Sequence, residues 1–445
     1  MDHVKHSVCA VISSFCGFVY ITTLFLIALF HHALTSAKPA GPFQILPRPE
    51  RKLTFDLEYY LNLQGYGLEH HEVITQDEYV LDCQRIVAPG SELYEKPRYP
   101  ILLIPGLMQS SSAYCTAGPD AIALVLARLG YDVWLGNNRG GFRPKHLTIK
   151  NDFSAKLWDW EMHELATKDV PAMVEYVKRV AHTDQIAVTA HSQGTTQTFR
   201  ALAVEEHGGI PDLGLSMSSF CALAPAVYAG PLVDRWFLRL LRVPKQVYHT
   251  FMGYHAFIGM MGSMRPMLPL KLFTFVAYIV FNYMLGWDDK LWDRHYRDRN
   301  FVFAPVYVSA KLMFWWLGEG GFAHRKCVFA SEDSKWFDHR FPPLEIYACG
   351  RDNLVLPDRL INRIHNFEPD AKPKTSIVNL PGYSHLDVMW AMDASQKVAL
   401  PIAEFAWKHV REPSKWKTPS IPSAISMAPT GPPTARSAAP AKETA

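Results

Sequence analysis

The chain has 445 residues, 45 basic against 42 acidic, and a net charge of +3. That balance leaves no strong one-signed field, so neither nucleic acid nor an acidic polymer is expected as a partner. An aromatic content of 13%, with 12 Trp and 25 Phe, exceeds what a soluble enzyme needs, and part of it is expected to face lipid. The seven cysteines include no Cys-x-x-Cys pair and no tight cluster, so buried free thiols are expected rather than a zinc site or a disulfide scaffold.

From Ser7 to Phe30 there is no charged residue. As a helix rising ~1.5 Å per residue, this stretch would cross a bilayer core of roughly 30 Å. Residues 1–37 are therefore expected to be a retained single-pass membrane anchor, in endoplasmic reticulum, lipid droplet or plasma membrane. Small residues in Leu34-Thr35-Ser36-Ala37 keep open the alternative of a signal cleaved from a secreted protein. No Asn is followed two places later by Ser or Thr, which leans against a glycosylated lumenal domain. Residues 38–54 carry Pro39, Pro42, Pro47 and Pro49 and read as a linker.

Beyond the linker, short β-branched or aromatic runs alternate with longer helix-like stretches, the pattern of a mostly parallel sheet with helices on both faces. Strands are expected at Pro100 to Ile104, Asp132 to Leu135, Gln185 to Ala190, Leu344 to Cys349 and Ser376 to Leu380. The first part of this core is placed at residues 55–228 and the second at 341–411. Between them, residues 229–340 contain far more chain than one crossover helix requires, and a helical cap inserted in the sheet's connection would account for it. That insert holds apolar runs, Leu272 to Phe281 with Tyr283 to Leu285, and Phe314 to Leu317; each is either buried or dips into lipid. Residues 412–445, dominated by Pro, Ala, Ser and Thr, are expected to be a disordered tail.

The central chemical signal is Ala190-His191-Ser192-Gln193-Gly194, which follows a strand-like run at once and leads into helix-compatible sequence. A strand, a strained turn and a helix in that order lift a serine out of the sheet, and small residues must flank it because the two backbones pass so closely. Ser192 is thus the candidate nucleophile. Serine needs a base, and the base needs a carboxylate to fix its tautomer and stabilise its cation. Asp352, in the loop after Leu344 to Cys349, and His385, in the loop after Ser376 to Leu380, follow in the order acid then histidine. Asp387 is the rival acid, better suited to ordering the His385 loop, and His191 reads as a packed or surface ring. Developing negative charge on a carbonyl oxygen needs preorganised N–H donors. Gln193, directly after the serine, and Leu107, in the loop Leu103 to Gln109, are the expected pair.

The ordered signatures Gly65-Tyr66 with Glu72 to Thr75, Gly130 to Gly140, His191 to Thr196, and His385-Leu386-Asp387 with Trp390 to Asp393 resemble the acid lipase family. That family includes gastric lipase, lysosomal acid lipase and the fungal steryl ester hydrolases. The likeness covers roughly Phe55 to Lys408, and the anchor with Pro105 to Ser111 looks most like the membrane-bound fungal members. Pro105-Gly106-Leu107 departs from the family's common His-Gly-Leu, which keeps the backbone donor and removes a side chain. The resemblance implies an α/β-hydrolase fold with an eight-stranded sheet, a cap over the site, no metal or other cofactor, and a fatty acyl ester of a lipid as substrate, met at a membrane or droplet surface. A transacylase using the same serine, or a non-catalytic lipid-binding protein on this scaffold, are the alternatives; no protein partner can be inferred.

Overall fold

Ile186–His191 is apolar or β-branched at every position but its last, a run that is stable as a strand only where both faces are covered. In the computed structural model it is fully buried near the middle of an eight-stranded sheet. The structure describes residues 2–35, 52–89, 96–152, 154–259 and 265–422. Its strands are β1 (Gly67–Ile74), β2 (Val80–Val87), β3 (Pro100–Ile104), β4 (Asp132–Leu135), β5 (Ile186–His191), β6 (Met217–Leu223), β7 (Leu344–Cys349) and β8 (Thr375–Leu380). They lie in the order β1-β2-β4-β3-β5-β6-β7-β8. The β1–β2 and β2–β4 pairs are antiparallel and every later pair is parallel, so the sheet is mostly parallel as expected.

Helices used below are α1 (Asp2–Thr35), α2 (Ile122–Leu129), α3 (Val170–Val180), α4 (Gln193–Leu202), α5 (Lys245–Met252), α6 (Leu270–Leu285), α7 (Arg294–Val302), α8 (Ala310–Leu317), α9 (Pro357–Phe367) and α10 (Leu400–Lys408). Residues of α3, α4 and α9 belong to one apolar core and residues of α2 and α10 to a second, so the sheet's two faces are each covered. Between β6 and β7 the chain leaves the sheet and forms α5, α6, α7 and α8. Residues of α6 and α8 reach the C-terminal ends of the strands, where they line one cavity together with Ser192 and His385.

The long signature Gly130 to Gly140 contains β4 and places polar clasps at both of its ends. Asp132 accepts two bonds from Arg85, at 2.7 and 3.1 Å, and one from the Trp134 indole at 2.9 Å. Arg139 is buried and its guanidinium is shared between Asp77 and Asp169, each at 2.7 Å. A buried cation of this kind is tolerable only when it is paired on every side. Asn137 holds the Ser111 N–H at 2.8 Å, which ties the second clasp to the loop after β3.

The tail differs from the sequence expectation over its first residues. Trp416 is buried edge-on against Tyr99, and the N–H groups of Lys417 and Ser420 bond to the carbonyls of Pro97 and Leu129, each at 2.8 Å. One aromatic anchor therefore carries residues 412–422 onto the core despite their low apolar content. Residues 423–445, and all of the expected linker except residues 52–54, lie outside the described residues.

Candidate active site

Four loops at the C-terminal ends of β3, β5, β7 and β8 build the site, which is where parallel sheets hold their ligands. Ser192 stands between β5 and α4 with φ 51° and ψ −117°, a left-handed backbone that an ordinary side chain avoids. Bonds on every side hold that strain in place. The Ser192 N–H extends the β5–β6 ladder to Leu223 O at 3.0 Å, and its carbonyl accepts from the Thr195 N–H at 2.9 Å and the Thr195 hydroxyl at 2.6 Å. Thr195 Oγ1 also accepts from Ala226 N, and the Thr196 hydroxyl donates to Ala226 O. These bonds give Thr195 and Thr196, which follow Gly194 in the signature, a mechanical role. Gly194 is required for space: a Cβ there would come within 2.7 Å of Ile104 O and 2.8 Å of Pro105 O.

His385 Nε2 lies 2.7 Å from Ser192 Oγ, and its Nδ1 lies 2.6 Å from Asp352 Oδ2. With Nδ1–H donating to the carboxylate, Nε2 is the acceptor for the serine hydroxyl. The other oxygen of Asp352 accepts the N–H groups of Leu354 at 2.8 Å and Val355 at 3.2 Å. The carboxylate is therefore fixed in orientation, and all three side chains are buried. Asp387 does not compete for His385. Its carboxylate accepts from Ser384 N and Ser384 Oγ, at 2.6 and 2.7 Å, and from the Trp292 indole at 2.7 Å. It pins the His385 loop to the segment before α7, and burial raises its pKa.

Gln193 is the first residue of α4, so its N–H has no partner inside the helix and sits at the positive end of the helix dipole. Leu107 follows Gly106, where a Cβ would come within 2.8 Å of Gln109 Oε1, 3.0 Å of His191 Nδ1 and 3.2 Å of Ser192 Cβ. Among the described residues neither the Leu107 nor the Gln193 N–H is bonded to a backbone carbonyl. Leu107 lines the cavity that holds Ser192, and Gln193 follows Ser192 directly in the chain.

Reasoning from the sequence missed how closely His191 engages the site. Its Nε2–H donates to the carbonyl of His385 at 3.0 Å, and the two rings lie 5.0 Å apart. Burial, with a smaller push from His385, holds its pKa down at about 3, so the ring is neutral and has one donor only. Its Nδ1 must then accept. Gln109, whose Oε1 is placed 3.1 Å away, meets this by turning its amide nitrogen toward the ring, an exchange of near-identical atoms. Two tryptophans also went unrecognised. Trp316 of α8 donates to Gln193 Oε1 at 2.9 Å, and Trp287 lies nearly parallel to the His385 ring at 6.1 Å.

Above these polar atoms opens a cavity with walls that are almost wholly apolar. Val280, Phe281 and Met284 come from α6, and Met313 and Leu317 from α8. Both apolar runs noted in the sequence thus turn part of their surface toward Ser192. Among the described residues no group of three or more His, Cys, Asp or Glu is arranged to hold a metal ion.

Residues 57–118 match the family described as a partial α/β-hydrolase lipase region, and residues 99–248 match the α/β-hydrolase fold. The chain is 38% identical over 402 residues to sterol esterase 2 of Saccharomyces cerevisiae, a match covering 82% of this chain and 74% of that protein. It is 26% identical over 392 residues to the gastric triacylglycerol lipase of Homo sapiens, covering 80% of this chain and 92% of that one.

Proposed function

This chain belongs to the acid lipase family of α/β-hydrolases and hydrolyses ester bonds in lipids, and from that premise we propose that Ser192, His385 and Asp352 carry the reaction on long-chain fatty acyl esters, steryl esters foremost. Ser192 Oγ attacks the ester carbonyl while His385 Nε2 takes its proton, and the N–H groups of Gln193 and Leu107 stabilise the oxyanion. Asp352 stabilises the resulting imidazolium. The imidazolium then protonates the departing alcohol oxygen, and the C–O bond to the sterol or glycerol breaks, leaving an acyl-serine. Water, deprotonated by His385, attacks that ester and releases the fatty acid, restoring the serine hydroxyl.

The observation that carries this reading is the pair of contacts at His385, 2.7 Å to Ser192 Oγ and 2.6 Å to Asp352, at the foot of an apolar cavity. Steryl esters are named first because of the likeness to a sterol esterase; triacylglycerols follow from the likeness to a gastric lipase. In the same reading, residues 229–340 act as the cap, and the apolar helix over Ile12–Thr35 is a retained anchor that keeps the enzyme at a membrane or droplet surface.

The test is an assay of the full-length protein in detergent micelles against cholesteryl oleate, triolein and dioleoyl phosphatidylcholine. Turnover of cholesteryl oleate is expected, reduced by about 10⁴-fold or more in Ser192→Ala. Hydrolysis of the phospholipid alone would overturn the substrate reading.

A further inference from the structure

An anchor that only tethers an enzyme has no reason to prefer one face over another, yet α1 is two-sided. Gly17, Leu24 and Ala28, spaced seven and four apart and thus on one helical face, are buried against the rest of the protein. Phe15, Phe18, Leu26 and Phe30 point the other way and are more than half exposed. The inward face touches the insert at several levels. A Cβ on Gly17 would lie 3.8 Å from Ile258 Cγ2, and Tyr20 donates its hydroxyl to Phe237 O at 3.2 Å. Leu24 joins an apolar cluster with Leu232, Phe237 and Leu238, and the His31 ring meets Tyr283 edge-on at 5.4 Å. Small residues at the closest points let the backbones approach, as they do between helices in a bilayer.

Midway along that face, Tyr20 and Ile21 line the same cavity as Ser192 and His385. They stand there beside Met284 and Leu285 of α6 and Leu317 of α8. We propose that α1 is a wall of the substrate cavity, and that Tyr20 and Ile21 help set which acyl ester it accepts. Anchor and insert then form one unit, with α1 presenting its outer apolar stripe to lipid while its inner stripe contacts the substrate. Removing or replacing the helix changes selectivity as well as attachment. This inference rests on the lipid ester reading above, and it adds specificity-determining residues about 170 positions from the nucleophile in sequence, Ile21 against Ser192.

The experiment uses the full-length protein in phosphatidylcholine vesicles with two substrates. Cholesteryl oleate has a long acyl chain and a sterol to place along the cavity walls, whereas p-nitrophenyl acetate is small enough to report the chemistry at Ser192 alone. Ile21→Trp, which fills the cavity from α1, is expected to lower kcat/KM for cholesteryl oleate by about tenfold or more while acetate turnover stays within about twofold. Leu26→Trp, on the exposed face of the same helix, is expected to change neither. If Ile21→Trp also depresses acetate turnover, Ile21→Ala decides: it cannot clash, and is expected to raise KM for cholesteryl oleate severalfold with acetate turnover kept. Unchanged selectivity in both Ile21 variants, with a parent that hydrolyses cholesteryl oleate, overturns the wall alone. A parent that hydrolyses the acetate and no long-chain ester removes the substrate reading, and this inference with it.

Discussion

The floor and the walls of the cavity are held by opposite kinds of interaction. At the floor, Ser192, His385 and Asp352 are fixed by short directional bonds on loops that leave rigid parallel strands, so their mutual distances are set by the sheet. At the walls, α1, α6 and α8 line the space with apolar side chains, and the Trp316 to Gln193 bond ties α8 to the floor. The first arrangement suits chemistry, which tolerates little displacement. The second suits a substrate that is large, oily and variable, because apolar packing discriminates by volume and shape rather than by hydrogen bonds.

Changes at the floor are therefore expected to lower turnover without altering substrate preference. His385→Gln removes the base and should reduce kcat by on the order of 10⁵-fold for both cholesteryl oleate and p-nitrophenyl acetate. Asp352→Asn keeps the shape but favours the wrong tautomer, and a loss of about 10⁴-fold in kcat with KM nearly unchanged is expected. Gly106→Ala drives a methyl group to within 3.2 Å of Ser192 Cβ and displaces the loop that carries Leu107 N–H. A loss of about 10²-fold in kcat is expected there, the scale of one oxyanion donor. Any of these three variants that shifted the ratio between the two substrates would blur the division between floor and wall.

The same contrast explains what could be read from the sequence. Pro100–Ile104, Asp132–Leu135 and Leu344–Cys349 are strands with the ends that their apolar runs imply, because a buried parallel strand leaves a continuous signal. β6 gives no such signal. Met-Ser-Ser-Phe-Cys-Ala-Leu lacks β-branched residues, and it is a strand because β5 and β7 flank it on both sides. The floor was legible since its chemistry requires particular residue types beside particular turns. The wall was not. The apolar residues that make α1 long enough to span a bilayer are of the same kind as those that pack it against the insert, and composition does not separate the two roles. His191 escaped notice for a related reason: its bond to the His385 carbonyl joins the last residue of β5 to a loop 194 residues further along the chain.

His191 supplies the smallest expected effect, and it is one of stability rather than rate. Its folded pKa, about 3, lies below the 6.5 of a free imidazole. Between those values the unfolded chain binds a proton that the folded chain refuses. The stabilisation is fully present above the unfolded value, and is lost progressively as pH falls from there toward the folded value. From about pH 7 to about pH 5 this costs on the order of 2 kcal/mol. Urea midpoints for the wild type should fall over that interval, and the fall should be smaller in His191→Gln, whose side chain does not titrate. An equal fall in both would place the acid-sensitive group elsewhere.

The most direct measurement is covalent. A fluorophosphonate probe, added to the folded protein and followed by peptide mass spectrometry, should modify Ser192 and nothing else, with no labelling in Ser192→Ala. Modification that persists in Ser192→Ala, or that maps to another serine, would contradict the assignment of the nucleophile and with it the relay through His385 and Asp352.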